Sequence, residues 1–263
     1  MKITFKYVVS LLATLLLLPP AQAQDTTLYK EFRDREVLLE VPANSTASDK
    51  RPLILILHGA LSNARIVRNR LNSNMQPVID KHGVMVAYLN GTGRRLVPQI
   101  KRWNVGDLVD IGKPDDTIYI RGFIRMAVKE YKADPDRIYI IGHSNGAMMA
   151  YKFICEEPEK IAAIVAVSGT LTTRDCAAKS TKGVLHIHGK RDRVIPVRGP
   201  NPLIRGPLRP KFLSVATSRE IIQSSGVPFK TRILWRQGHS MRRINNAINL
   251  PETAWQYFQD KQW

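Results

Sequence analysis

Acidic side chains are scarce in this chain: 22 against 40 lysines and arginines in 263 residues, for a formal charge of +18. Cysteine is scarcer still. Cys155 and Cys176 are the only two, so at most one internal disulfide can form. No apolar run reaches the ~20 residues that a bilayer-spanning helix needs, which argues against integral membrane association. Repeats, low-complexity tracts and long runs of like charge are missing too, so the exported part is expected to be one domain. No nucleic-acid-binding motif accompanies the positive charge, and a DNA or RNA partner is not expected.

What is present starts at the N-terminus. Lys2 and Lys6, an apolar run from Val8 to Leu18, Pro19-Pro20 and the small-residue signature Ala21-Gln22-Ala23 form a secretory signal peptide with its cleavage site. A membrane anchor is the competing reading, but the run is too short to span. With no cysteine at the cleavage point, a lipid-anchored form is not expected. Residues 1–23 are therefore read as a leader cleaved after Ala23, residues 24–263 as a single domain, and the location as secreted or periplasmic. An even pair of cysteines in an oxidising compartment favours a bond between Cys155 and Cys176 over two buried free thiols. Without Lys2 and Lys6 the charge becomes +16, which bears on partners and solubility rather than on fold. An exported protein so charged is expected to meet anionic polysaccharide, anionic lipid or acidic small molecules.

Along the chain, Leu28 to Val41 alternates enough for one or two opening strands. The continuous apolar runs Pro52 to Leu57, Val84 to Leu89, Ile138 to Ile141, Ile161 to Val167 and Val184 to Ile187 mark strands buried on both faces. Helical spacing fills Ala64 to Asp80, Thr117 to Tyr131, Ala147 to Phe153, Leu213 to Ser224 and Pro251 to Asp260, with a last strand over Lys230 to Trp235. Gly91 to Asp115 reads as a long loop. Strands alternating with helices predict an α/β fold, a mainly parallel sheet with helices on both faces.

The chemistry starts at Gly142-His143-Ser144-Asn145-Gly146, which directly follows one of these strands and opens a helix. G-x-S-x-G alone is a common pattern, and a tight turn with a bystander serine would carry it. In a strand–turn–helix context it is a nucleophile elbow, whose glycines leave space for the sharp reversal that exposes Ser144. A serine hydroxyl needs a base, and the base needs an acid to fix its tautomer. In this elbow arrangement the order is serine, acid, histidine, each just past a strand. His239, in Gln237-Gly238-His239-Ser240, follows the last strand and is read as the base. His186 and His188, two apart on one strand, are read as core or strand-end histidines, because an H-x-H metal pair has no third ligand of convincing spacing. Asp192, just past that strand, is read as the acid, the alternative being a surface aspartate paired with Arg191 or Arg193. Asp115 and Asp116 precede the serine and look like a helix cap ahead of Thr117. Backbone N–H groups of Asn145 and Ala60 are placed as the oxyanion hole, with Gly59 letting the backbone approach. No metal or organic cofactor is required.

Taken with Leu57-His58-Gly59, Trp103-Asn104, Asp136-Arg137-Ile138-Tyr139, His188-Gly189 before Asp192, Ile195-Pro196 and Gly238-His239, the elbow resembles the secreted polyhydroxybutyrate depolymerase / feruloyl esterase group of α/β-hydrolases. The resemblance runs from about Arg51 to the C-terminal helix. It implies an α/β-hydrolase fold and a carboxylic ester hydrolase with Ser144, Asp192 and His239 as triad. It also supports the disulfide, since such proteins often carry cysteines where Cys155 and Cys176 stand. Trp103 and Met241 are assigned to the substrate cleft. Relatives tend to carry an aromatic where Val197 stands and Trp-Pro where Met241-Arg242 stands, so the resemblance leaves the ester unnamed. Hydroxyalkanoate oligomers, feruloyl or other aryl esters and acetyl esters all fit. Two rival functions use the same residues: acyl transfer to another acceptor, and a non-catalytic member that binds anions or polysaccharide.

Three loops at the expected active end carry a net charge of +10: Gly91 to Asp115, Lys190 to Lys211 and Gln237 to Ala247. The set Arg94, Arg95, Arg102, Arg198, Arg205, Arg209, Arg242 and Arg243 is read as a rim favouring an anionic, small-molecule or oligomeric ester. A generally basic, solvated surface is the alternative.

Overall fold

The computed structural model describes residues 26–42, 50–94, 97–106, 114–156, 160–178, 181–200 and 211–260. The leader expected at residues 1–23 lies outside them. Eight strands form the main sheet: β1 (Thr26–Phe32), β2 (Arg35–Val41), β3 (Arg51–Leu57), β4 (Met85–Leu89), β7 (Ala133–His143), β8 (Ala163–Val167), β9 (Val184–Gly189) and β10 (Phe229–Leu234). Their order is β1-β2-β4-β3-β7-β8-β9-β10. β1 and β2 pair antiparallel, as do β2 and β4; every other neighbour is parallel. The order reverses around β3, and the active end lies at the carboxyl ends of the parallel strands.

Parallel strands covered on both faces have no use for a polar side, and every residue of β4, β8 and β9 is buried. The period-2 pleat divides their side chains between two cores. Leu53, Leu55 and Leu57 pack with α2 (Asp116–Tyr131), α3 (Asn145–Glu156) and α4 (Val215–Ser224) on one face. Ile54 and Ile56 pack with α1 (Ala64–His82), α5 (Met241–Ile248) and α6 (Leu250–Gln259) on the other.

Two stretches depart from the sequence expectation. The loop from Gly91 to Asp115 contains a small antiparallel pair, β5 (Thr92–Arg94) and β6 (Val97–Arg102), outside the main sheet. The segment after His239 forms α5 rather than a loop. Its eight residues include two arginines and two asparagines, which hide the helical pattern. Met241 and Ile244, three apart, supply its buried face. Ser240 caps it by accepting from the N–H of Arg243, and the Asn245 side chain anchors it to α1 by donating to the Arg70 carbonyl at 3.2 Å.

Cys155, near the end of α3, is bonded to Cys176 in the segment after β8, with Cα atoms 4.7 Å apart. The bridge ties the elbow helix to the segment that follows the next strand. Closing a loop with a sequence separation of 21 restricts the unfolded chain by about 3 kcal/mol. Replacing both cysteines with serine should lower unfolding stability by about that amount, measured by urea titration. Unchanged stability, or full alkylation of the native protein without reductant, would reject the bond.

Candidate active site

The turn from β7 into α3 is sterically forced. A Cβ on Gly142 would lie 2.4 Å from the Gly146 carbonyl oxygen, and one on Gly146 would lie 2.2 Å from that of Leu57. Helix α3 thus starts hard against the end of β3, which only glycine permits. Gly169 plays the same part from the end of β8, where a Cβ would lie 2.2 Å from the Ser144 carbonyl oxygen. Ser144 itself sits at φ 54°, the left-handed region that a residue with a side chain occupies at a cost of about 1–3 kcal/mol. Hydrogen bonds hold it there, from its N–H to the Val167 carbonyl at 2.8 Å and from Met148 N–H to its carbonyl at 3.0 Å.

Around Ser144 three loops converge. His239 Nε2 lies 2.9 Å from Ser144 Oγ, and His239 Nδ1 lies 2.7 Å from Asp192 Oδ2. The Asp192 side chain has no exposed surface, so the alternative of a surface aspartate paired with arginine does not hold. Its Oδ1 accepts from Val194 and Ile195 N–H, each at 2.9 Å. Burial works against ionisation here. Hydrogen bonds from His188, His239 and the Ile195 N–H override it and hold the carboxyl well below the usual carboxylate range. Asp115 caps α2 through the N–H of Thr117, as its place ahead of that helix predicts. Asp116 is buried in an ion pair with Arg35 at 2.6 Å and accepts from Asn104 N–H. Neither touches the serine.

Ala60 borders the same cleft as Ser144, and Gly59 eases the approach of this loop: a Cβ there would press on His143 Nδ1 at 3.0 Å. His58 steadies this loop from below. Gly91 N–H donates to its Nε2 at 3.1 Å, so its proton is on Nδ1, which donates to the Gly59 carbonyl at 2.7 Å. The Asn145 side chain clamps the backbone at Trp103. Its side-chain oxygen accepts from Trp103 N–H at 2.6 Å, and its amide donates to the Trp103 carbonyl at 3.2 Å.

That clamp corrects the placement of Trp103. Its ring is fully buried beneath the loop after β3, donating from Nε1 to the His58 carbonyl at 2.9 Å, and it does not line the cleft. A tryptophan in a basic loop reads as a surface residue only while the loop's partner is unseen. Met241 borders the cleft, although only 2 % of it is exposed, because α5 turns it into the core.

The cleft is open, with a volume of about 1070 Å³, and its far wall is polar: Asn69, Arg70 and Ser73 on α1 face Arg242 and Asn246 on α5. Among the described residues neither Arg70 nor Arg242 is in an ion pair. Arg70 escapes a reading of the loops alone, since it lies within a helix; its neighbours at i−1 and i+3 in the same wall are the signal. Of the expected rim, Arg242 lines the cleft, whereas Arg198 lines a separate groove with Val215 and Arg219. Arg95, Arg205, Arg209 and the Arg94 side chain lie outside the described residues. The role of His143 also had no sequence signal beyond its place in the elbow. Its Nε2–H donates to the His239 carbonyl at 2.8 Å, fixing the backbone that carries His239.

Burial drives both His58 and His143 down to about 4. A folded-state pKa below the unfolded value means that the unfolded chain binds more protons on acidification. The stability these rings contribute is full above about pH 6.5 and is lost as pH falls towards 4. Urea midpoints measured across this window should drop steadily. Replacing His143 with Gln should flatten that slope, and an unchanged slope would count against the burial argument.

A family model described as Phospholipase/Carboxylesterase matches residues 112–201, which hold Ser144 and Asp192. The chain is 25% identical over 170 residues to feruloyl esterase B of Piromyces equi, covering 63% of this chain and 30% of that protein. It is 26% identical over 134 residues to a poly(3-hydroxybutyrate) depolymerase of Ralstonia pickettii, covering 46% and 25%. The chain spans less than half the length of the curated relatives it matches. The crystal structure of esterase PE8 superposes with a TM-score of 0.61 at 21% identity, over 84% of this chain and 96% of that one. The chain thus has the α/β-hydrolase fold, and over part of its length it is similar to feruloyl esterases and poly(3-hydroxybutyrate) depolymerases.

Proposed function

We propose that this chain is an exported serine hydrolase that cleaves carboxylic esters through an acyl-enzyme on Ser144. The observation that carries the reading is the hydrogen-bonded line from Ser144 Oγ to His239 at 2.9 Å and from His239 to Asp192 at 2.7 Å, its far end locked by two backbone N–H groups. His239 takes the serine proton as Oγ attacks the ester carbonyl, and Asp192 stabilises the imidazolium that forms. The N–H groups of Asn145 and Ala60 receive the oxyanion. His239 then returns the proton to the departing alcohol. In the second half-reaction it activates water against the acyl-serine, and the acid is released. Export is supported by the leader-like N-terminus and the disulfide. A serine-reactive phosphonate tests the assignment: it should label Ser144 alone and abolish turnover of p-nitrophenyl acetate.

The substrate is a polar or anionic ester, small or oligomeric, for which Arg70 and Arg242, in no ion pair among the described residues, are the recognition elements. Each well-placed charge pair across solvent contributes around 1 kcal/mol. kcat/KM for an ester bearing a carboxylate should therefore exceed that of its neutral isostere several-fold at 0.01 M salt. The ratio should shrink as the Debye length falls from about 30 Å to about 8 Å at 0.15 M. Changing both Arg70 and Arg242 to Gln should bring the ratio close to one. A ratio insensitive to both salt and the double substitution would assign the positive charge to solubility.

A further inference from the structure

Asp192 has a second histidine. His188 Nε2 lies 3.3 Å from Asp192 Oδ2 and 2.8 Å from the Ile195 carbonyl oxygen. Its Nδ1 lies 2.9 Å from His186 Nε2, and His186 Nδ1 lies 3.0 Å from the Tyr151 hydroxyl. Tyr151, His186 and His188 are all fully buried, and Phe229 stacks on the first two. β9 provides both rings because residues two apart on a strand share a face. Tyr151 comes across from α3, the elbow helix.

With neutral rings, one proton order satisfies this line. A carbonyl oxygen only accepts, so the His188 proton is on Nε2, aimed at Ile195 and Asp192. His188 Nδ1 is then a bare acceptor and takes the His186 Nε2–H. His186 Nδ1 is left bare in turn and takes the Tyr151 O–H, a group that donates without needing a further partner. Reversing the order would point a lone pair of His188 at two oxygens in a dry interior, where unpaired acceptors are costly. The Ile195 carbonyl therefore sets the tautomer of both rings, and the phenol closes the line two links away.

We infer that Tyr151, His186 and His188 form a buried positioning relay, in which the Ile195 carbonyl and Asp192 fix the tautomer of both rings, the tyrosine hydroxyl satisfies the last bare nitrogen, and His188 faces Asp192 with an N–H that helps hold its carboxylate square to His239. Oδ1 receives two N–H groups, and Oδ2 receives His239 Nδ1–H together with the longer arm of the His188 Nε2–H that is shared with the Ile195 carbonyl. These donors resist rotation of the Asp192 carboxylate and favour its ionised form. The relay rests on the ester-hydrolase reading for its effect on rate, but not for its proton order.

The test combines NMR with kinetics. In protein labelled with ¹⁵N-histidine, two-bond ¹H–¹⁵N correlations should show a protonated Nε2 and a bare Nδ1 at both His186 and His188. Tyr151→Phe, nearly isosteric, should leave both rings protonated on Nε2 and kcat within about threefold, because the Ile195 carbonyl holds the order; Nδ1–H signals in this variant would show that the phenol, and not the carbonyl, sets it. His188→Met should lower kcat about 10- to 100-fold, the worth of one hydrogen bond to a charged group. His188→Gln, which returns an N–H near the Nε2 position, should recover most of that loss. A protonated Nδ1 on His188 in the unsubstituted protein would overturn the relay, as would equal losses in the Met and Gln variants. Absence of any ester turnover by the unsubstituted protein would overturn the hydrolase reading instead, and the spectra, which need no substrate, would still decide the proton order.

Discussion

Ser144→Ala should lower ester hydrolysis on the order of 10⁶-fold, to near the background rate, with the fold retained. The size follows from the site having no other group in the serine's place. Oγ is the atom His239 Nε2 addresses at 2.9 Å, and the left-handed backbone at Ser144, with φ 54°, presents it to the cleft. Alanine keeps the Cβ and the backbone bonds to Val167 and Met148, so the elbow has no cause to unfold. His239→Ala should be nearly as severe, because nucleophile and base act as one unit. Steady-state hydrolysis of p-nitrophenyl acetate and circular dichroism of both variants check this. Hydrolysis retained by a clean Ser144→Ala preparation would move the nucleophile elsewhere.

Asp192→Asn should give the second large effect, a loss in kcat of about 10³–10⁴-fold. The direction follows from the hydrogen bonds of the carboxylate. Val194 and Ile195 both donate to Oδ1, so the asparagine oxygen must stay there and its NH₂ must take the place of Oδ2. That NH₂ would face His239 Nδ1, which could then hold only a lone pair, and the imidazole proton would move to Nε2. A protonated Nε2 cannot take the serine proton. The loss should therefore appear in kcat, with stability little changed. A nearly silent Asp192→Asn beside a crippling Asp116→Asn would show that the acid is misplaced.

Much of the site is legible in the sequence because its geometry leaves few residue types possible. Gly142 and Gly146 stand where a Cβ would strike backbone, and Asp192 and His239 follow the ends of β9 and β10 in the chain order that the elbow requires. The buried strands are equally plain, since a sheet covered on both faces imposes unbroken apolar runs. What stays hidden is set by tertiary partners. Trp103 looks like a cleft residue until the Asn145 side chain is seen clamping its peptide and His58 accepting its indole N–H. Arg70 has only a weak local signal, its polar neighbours Asn69 and Ser73, because it is the packing of α5 on α1 that turns that stretch of helix into a cleft wall. The same holds for His186 and His188. Their spacing puts them on one face, but nothing local says that a tyrosine lies behind one and the catalytic carboxylate candidate in front of the other.

The account stands most directly on the covalent intermediate. Rapid-quench mass spectrometry of the intact protein with p-nitrophenyl acetate should reveal a single acetyl adduct during the burst phase, and peptide mapping should place it on Ser144. The adduct should vanish in Ser144→Ala and accumulate where deacylation is slowed. Turnover with no adduct, or with an adduct on any other residue, would contradict the proposed mechanism.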